Sequence, residues 1–276
     1  MNLNSLRVQA ALYHSEDISE ELYLQGLSRV HPDSQTRIRK FYRRDDACRT
    51  LIGDILVRLT LQEAGKTRPV VFSKTTGGKP YIVGPPDNHI GFNVTHDNSL
   101  VAVAFAPGVH NPPSYSVGID VMKTQIAPRE RFPTFLEAFE DQLTPLEFKL
   151  CADDSIPEEE RIRHFFWMWT LKEAYTKALG IGLGFNFSRV EFNVAEKQVK
   201  VDGHVATGWR FTMFIIKDRG DLYEGVVAEY MGGDTVEVDD KTNEVNSQWL
   251  KIDSAVHVLK RAIETLSVLE LETGVF

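Results

Sequence analysis

Hydrophobic positions recur along this chain with two periods. Cys48, Leu51, Ile52, Ile55, Leu56 and Leu59 fall at helical spacing, so residues 34–64 read as a helix in two parts, buried on one side and basic on the other. Trp167, Leu171, Ala174 and Ala178 form a second helical stripe, with Gly180 as the residue that ends it. Strands are predicted at residues 70–73, 100–106, 117–121, 190–194, 209–216 and 226–230. The 100–106 segment lacks polar residues, as a fully buried strand does. Thr144-Pro145-Leu146-Glu147 and Ser155-Ile156-Pro157-Glu158 each read as a capping box with proline in the first turn. Residues 107–114 place three prolines and a glycine between two strands, which marks a linker or crossover loop. Residues 232–246 are polar and acidic and read as a loop. Beyond them Ile252, Val256, Leu259, Ile263 and Leu266 predict a terminal amphipathic helix. The order of elements after the boundary is like the order before it, although the two halves share no evident sequence identity.

Candidate chemistry gathers in three places. Glu173 and Lys177 lie four apart on a helix, one above the other, on a face next to the apolar stripe. Such a pair on an exposed helix is worth only about 0.3–0.5 kcal/mol and is common as plain surface. In Val117-Gly118-Ile119-Asp120-Val121 the alternation buries the valines and isoleucine, so Asp120 faces the other way, where a carboxylate can hold a hard cation. A lone Asp beside a strand is usually a turn-former or cap, and a lone His is more often a structural donor than a ligand. Asn93, Thr95 and Asp97 share one face of an extended segment, with His96 beside them before Asn98-Ser99 turns the chain. Gly180-Ile181-Gly182-Leu183-Gly184 follows a helix, which excludes a dinucleotide fingerprint and leaves a tight exit turn.

Composition narrows the setting. The chain has 276 residues, 42% hydrophobic and 25% charged, enough for one large or two modest domains. Cys48 and Cys151 show neither paired nor metal spacing, and no apolar run is long enough to span a bilayer, so a cytoplasmic protein with reduced thiols is expected. A net charge of -8 argues against general nucleic-acid binding. Arg37, Arg39, Lys40, Arg43, Arg44 and Arg49 nevertheless form a local positive field, either a solvated helix face or a site for phosphate or an acidic partner.

Four blocks in order carry a more specific signal: Arg37 to Arg58 (RIRKFYRRDDACRTLIGDILVR), Gly77 to Tyr81 (GGKPY), Gly118-Ile119-Asp120, and Trp169 to Lys177 (WTLKEAYTK). Together they resemble the 4'-phosphopantetheinyl transferase superfamily, in its double-length, broad-specificity class and nearest its eukaryotic cytosolic members. The resemblance implies an α+β fold of two pseudo-equivalent subdomains, residues 1–112 and 113–276, forming a pseudo-twofold unit with the active site in the cleft between them. The first would supply coenzyme A phosphate contacts. The second would supply metal and catalytic residues and end in the amphipathic helix. The implied coenzyme A contacts are Arg37, Thr50, Lys74, Gly78, Lys79, Asn93, Thr95, His96, Asp120, Glu173 and Lys177. Glu173 and Lys177 would be catalytic, and Asp120 and Glu173 would hold Mg2+, with Mn2+ as a substitute. Many bacterial members carry a third carboxylate where this chain has Met122, a poor Mg2+ ligand, so Asp97 or water would complete the shell.

The implied reaction transfers phosphopantetheine from coenzyme A to a serine of an apo acyl or peptidyl carrier protein, by a monomer without nucleic-acid or membrane partners. Carriers of fatty acid synthase, polyketide synthase, nonribosomal peptide synthetase and the reductase of lysine biosynthesis all remain open. Two other readings stand beside it: a catalytically silent coenzyme- or carrier-binding module, and a metal-dependent pyrophosphohydrolase. The first has no need of Asp120, Glu173 and Lys177 together, and the second would want more carboxylates or histidines.

Overall fold

Strand β1 (Arg7–Leu12) leads into helices α1 (Glu20–Leu27), α2 (Pro32–Ile38) and α3 (Arg44–Glu63) of a computed structural model that describes residues 5–65, 71–83, 90–107, 110–111, 114–244 and 247–268. Ser19 caps α1 by accepting the Leu22 N–H. Helices α2 and α3 are the two parts expected over residues 34–64. Hairpin β2 (Val71–Lys74) and β3 (Pro80–Val83) precedes β4 (Gly91–Asp97) and β5 (Leu100–Ala106). Val70, the expected start of that first strand, lies outside the described residues. Asn98, at φ 46°, makes the two-residue turn that pairs Asp97 with Leu100.

The expected linker contains a short pairing of β6 (His110–Asn111) with β7 (Ser114–Tyr115); residues 108–109 and 112–113 lie outside the described ones. Next come β8 (Val117–Lys123), α4 (Phe132–Ala138), α5 (Pro145–Ala152) and α6 (Glu158–Leu179). A small sheet of β9 (Val190–Asn193), β10 (Gln198–Val201) and β11 (His204–Val205) precedes the long hairpin of β12 (Trp209–Asp218) and β13 (Asp221–Tyr230). Arg219 and Gly220, at φ 48° and 92°, form its turn. The first capping box is present at Thr144 and Glu147. The second is a correction: Ser155 bonds the Asp153 carboxylate, and α6 starts after Pro157 with no side-chain cap.

The two halves have the same topology. In each, a first strand, helical segment, second strand and third strand form an antiparallel sheet in spatial order first-third-second: β1-β5-β4 and β8-β13-β12. Each sheet then gains a parallel edge strand. β14 (Glu237–Asp240) pairs with β12, so the segment expected to be a loop carries a strand. β15 (Leu250–Ser254) pairs with β1 and takes Ile252 out of the expected helix. Helix α7 (Ala255–Thr265) follows and buries Ala255, Val258, Leu259 and Ala262 among residues of α1 and α3. Helix α7 therefore packs with the first half and not with the second, where its position in sequence had placed it.

Three cores result. One lies between α1, α3, α7 and the outer face of the first sheet. Another lies between α6 and the second sheet and includes Trp167, Leu171, Ala174, Ala178, Phe211 and Val226. The third, with Val8, Ala102, Ala104, Ile119, Val121 and Val227, fills the space between the sheets. The layers run helix, sheet, sheet, helix, and β4 and β8 meet where the halves join.

Candidate active site

The alternation in β8 sends Val117, Ile119 and Val121 into the core between the sheets and turns Gly118 and Asp120 toward α6. Gly118 lets the helix come very close. A Cβ built there would stand 2.1 Å from the Ala174 carbonyl oxygen and 2.4 Å from the Ala178 nitrogen, so no larger residue fits without moving backbone. This contact delivers Glu173 and Lys177 to Asp120. Lys177 Nζ donates to Asp120 Oδ1 at 2.6 Å and to Thr95 Oγ1 at 3.1 Å, and Thr95 donates to the same Asp120 oxygen at 3.0 Å. Thr95 belongs to one half, while Asp120 and Lys177 belong to the other.

The period-2 face of β4 works as a row. Asn93 Oδ1 accepts the Ile119 N–H at 2.9 Å, Thr95 reaches Asp120, and Asp97 Oδ2 accepts the Lys123 N–H at 2.7 Å. Polar side chains of β4 thus pair backbone donors of β8 that have no strand on that side. His96 lies on the opposite face, exposed at its end beyond Phe92 and Val94, which pack against the helices. Partial desolvation, then the charges of Arg49 and Lys177, lower its pKa and favour neutral imidazole.

Burial raises the pKa of Asp120, opposed by Lys177. Burial and then the Asp120 charge raise that of Glu173, again opposed by Lys177. Lys177 is bonded to Asp120 and acts on Glu173 only through its charge, so two carboxylates stand near a single paired ammonium. Asp120 Oδ2 is buried and, among the described residues, has no hydrogen-bond partner. An oxygen of that kind beside a second carboxylate fits a hard divalent cation such as Mg2+, which takes one or two carboxylates and keeps waters. Among the described residues no three His, Cys, Asp or Glu side chains cluster as a metal group, so Asp97 does not make a third with Asp120 and Glu173.

Other expected contacts are placed differently. The Lys79 ammonium is buried and donates to the carbonyls of Val117 (3.0 Å) and Ala178 (2.6 Å), with burial lowering its pKa to about 7. It ties the Gly77–Tyr81 block to β8 and α6 in this state and does not face solvent as a phosphate ligand would. Gly77 touches the Gly180 carbonyl, 2.1 Å from where a Cβ would sit, and Gly78 turns the chain at φ 84°. Gly180, at φ 71°, ends α6 as expected. Arg37 pairs with Asp54 at 3.0 Å, Lys74 is exposed on β2, and Thr50 lies on α3. Arg49, next to Thr50, was read from sequence only as one of the cluster of cations and not as a coenzyme contact, yet its Nε donates to the Asn98 carbonyl at 2.7 Å, close to His96. Lys172, inside the Trp169–Lys177 block, was missed as well. It is fully buried and bonds Glu147 at 2.6 Å and the Gln142 and Phe187 carbonyls at 2.9 and 3.0 Å.

Fold and site define a class: a two-subdomain α+β protein whose carboxylate and ammonium cluster suits cation-assisted transfer of a phosphorylated group. Comparison with known proteins makes this specific. Residues 116–217 match the family model "4'-phosphopantetheinyl transferase superfamily", and residues 17–108 match "4'-phosphopantetheinyl transferase, N-terminal". The 4'-phosphopantetheinyl transferase pptA of Paxillus involutus is 42% identical over 267 residues, 95% of this chain and 100% of that protein. The transferase Sfp of Bacillus subtilis is 32% identical, over 62% of this chain and 70% of its own. The L-aminoadipate-semialdehyde dehydrogenase-phosphopantetheinyl transferase of Mus musculus is 29% identical, over 63% of this chain and 55% of its own. A solved apo-ACPS structure from Chronobacterium ammoiniagenes covers 42% of this chain and 96% of its own at 21% identity, with a TM-score of 0.27. The chain belongs to the 4'-phosphopantetheinyl transferase superfamily and is an enzyme of that class.

Proposed function

We propose that this enzyme moves the 4'-phosphopantetheine moiety of coenzyme A onto a serine of apo acyl or peptidyl carrier proteins, with Mg2+, and releases adenosine 3',5'-bisphosphate. The observation that carries the reading is the junction of Thr95 with Asp120, Glu173 and Lys177 across the two halves, with one Asp120 oxygen left buried and unpaired. The serine oxygen bonds to the β-phosphorus, the bond from that phosphorus to the bridging oxygen breaks, and the nucleotide leaves with the electron pair. Glu173, directly or through a water, takes the serine proton. Lys177 sets its positive charge beside the oxygens on which charge builds. Thr95 and Lys177 orient the Asp120 carboxylate by bonding one oxygen and leaving the other for the cation. When bound through Asp120 and Glu173, Mg2+ supplies charge neutralisation to the pyrophosphate. Neutral His96 and the guanidinium of Arg49 offer donors to the nucleotide's phosphates from the open side.

Intact-mass analysis of a purified apo carrier, incubated with coenzyme A, enzyme and Mg2+, tests this. One phosphopantetheine should be added per carrier serine, and chelation should stop the addition. A panel of apo carriers left unmodified despite coenzyme binding would support the silent module. One relative is named for the L-aminoadipate-semialdehyde dehydrogenase that it modifies, so the carrier of an aminoadipate reductase belongs in the panel.

A further inference from the structure

The six cations between Arg37 and Arg49 divide into two groups. Arg37 is held by Asp54 at 3.0 Å, Arg44 by Glu20 at 2.8 Å, and Arg49 by Asp46 at 2.9 Å. Arg44 also lies over the Tyr23 ring, 3.4 Å from its centroid. Arg39, Lys40 and Arg43 are exposed and, among the described residues, enter no ion pair or side-chain hydrogen bond. The acids nearest in sequence are taken: Asp45 accepts from the Tyr13 hydroxyl at 2.8 Å, and Asp46 holds Arg49. Between the unpaired cations stand Phe41, 41% exposed, and Tyr42, 100% exposed. An aromatic pair ringed by unpaired cations is the composition of an interface centre, where Tyr and Arg are enriched.

We propose that this α2–α3 turn, residues 39–43, is the surface on which an acidic carrier protein docks, with Tyr42 and Phe41 covered by an apolar side chain of the carrier. The inference rests on the function proposed above. Two observations select this occupant. With a net charge of -8 the chain repels an acidic partner over most of its surface, so a patch of free cations sets where and how such a partner lands. The patch is also continuous with the site. Helix α3 starts at Arg44, and Arg49 lies about 8 Å further along its axis, with its guanidinium on Asn98 at the end of the strand that carries Thr95 and His96.

The test compares wild type, the triple variant Arg39→Glu/Lys40→Glu/Arg43→Glu, and Tyr42→Ala, with carrier and coenzyme A varied separately and coenzyme binding measured by calorimetry without carrier. Among the described residues these side chains hold no hydrogen-bond or ion-pair partner, so melting temperatures should agree with wild type. The KM for the carrier should rise about tenfold or more in the triple variant and severalfold in Tyr42→Ala, and the salt dependence of kcat/KM should flatten in the triple variant. Coenzyme affinity should stay unchanged. A weaker coenzyme affinity in the triple variant would overturn the proposal and assign the cations to its phosphates. An unchanged carrier KM would overturn it too. Failure of wild type itself to modify any carrier would reject the transferase reading, a result distinct from both.

Discussion

Removing the Lys172 ammonium should damage the fold more than any catalytic substitution would. All three of its donors are used, on Glu147 Oε2 and on the Gln142 and Phe187 carbonyls. Glu147 is equally enclosed; Oε2 also accepts the Thr144 N–H at 2.8 Å, and Oε1 accepts the Phe192 N–H at 2.9 Å. One ion pair therefore fixes the start of α5, the middle of α6, strand β9 and the turn before it. Lys172→Met leaves the carboxylate buried without its counterion, which costs about 3–5 kcal/mol. The orphaned carbonyls act in the same direction, at about 1–3 kcal/mol each where fully buried, though the terms do not add. Against a total stability of about 5–15 kcal/mol this leaves a marginal protein. At about 2–4 °C per kcal/mol for a chain of this size, the midpoint of thermal unfolding should fall by about 6–20 °C. Lys172→Met/Glu147→Gln removes both charges and should recover much of the loss, so a thermodynamic cycle should show strong coupling. Calorimetry and urea titration read the stabilities, and turnover per folded molecule at low temperature reads the chemistry. A stable Lys172→Met protein with collapsed turnover would refute the reasoning and make Lys172 a catalytic group.

Three further outcomes follow from the same geometry. Asp120→Asn and Glu173→Gln should each lower turnover by about 100-fold or more with little loss of stability, read by carrier mass gain at saturating coenzyme A; near-wild-type rates in Glu173→Gln would remove it as proton acceptor. Gly118→Ala should push α6 off β8, and a displacement near 1 Å costs about 100-fold in rate; its turnover should fall together with its melting temperature, and wild-type values for both would show that the close contact is not needed. Glu224 is fully buried with Oε2 unpartnered among the described residues, and burial, opposed by Arg163, pushes its pKa from 4.5 up to about 8. The folded state then keeps a proton that the unfolded chain releases, so this group's contribution is full below about pH 4.5 and is lost as pH rises toward 8. Glu224→Gln should flatten that fall in urea midpoints, and parallel profiles for wild type and variant would contradict the assignment.

Elements defined by regular spacing were legible. The stripe of Trp167, Leu171, Ala174 and Ala178 buries as the helical period requires, and the alternation around Asp120 sets its direction. Asn93, Thr95 and Asp97 share a face as predicted, although nothing local shows that two of them serve backbone donors of β8. The pairing of Glu147 with Lys172 was not legible: Glu147 reads as the acid of a capping box and Lys172 as one residue of the Trp169–Lys177 block, and only folding brings the two helices together. Strands β14 and β15 escaped for a related reason. Glu237–Asp240 and Leu250–Ser254 are short and half polar, and each is extended only because an edge of a finished sheet offers it a parallel partner. The crowd of cations between Arg37 and Arg49 was visible as composition. Which of them are free depends on Asp54, Glu20 and Asp46, and so on the fold.

Because the site is divided between the halves, its geometry is only as good as their registration. Below the site, the core between the sheets supplies adhesion with little direction, since Val, Ala and Ile side chains can slide on one another. Direction comes from polar contacts along the junction. Asn93 and Asp97 bracket Thr95 on β4, and each accepts a backbone N–H of β8, one on either side of Asp120. At the far end Ser99 donates to Asp218 at 2.7 Å and lies 2.8 Å from the Tyr223 hydroxyl, while His14 stands 3.3 Å from the same Asp218. Arg219, in the turn between β12 and β13, pairs with Glu16 and Asp17 of the first half. Hydrogen bonds have a narrow range of useful distance and angle, so this row allows one register of β4 on β8. That register is what sets Thr95 against Asp120, and a coenzyme bound across the junction would draw on it from both sides.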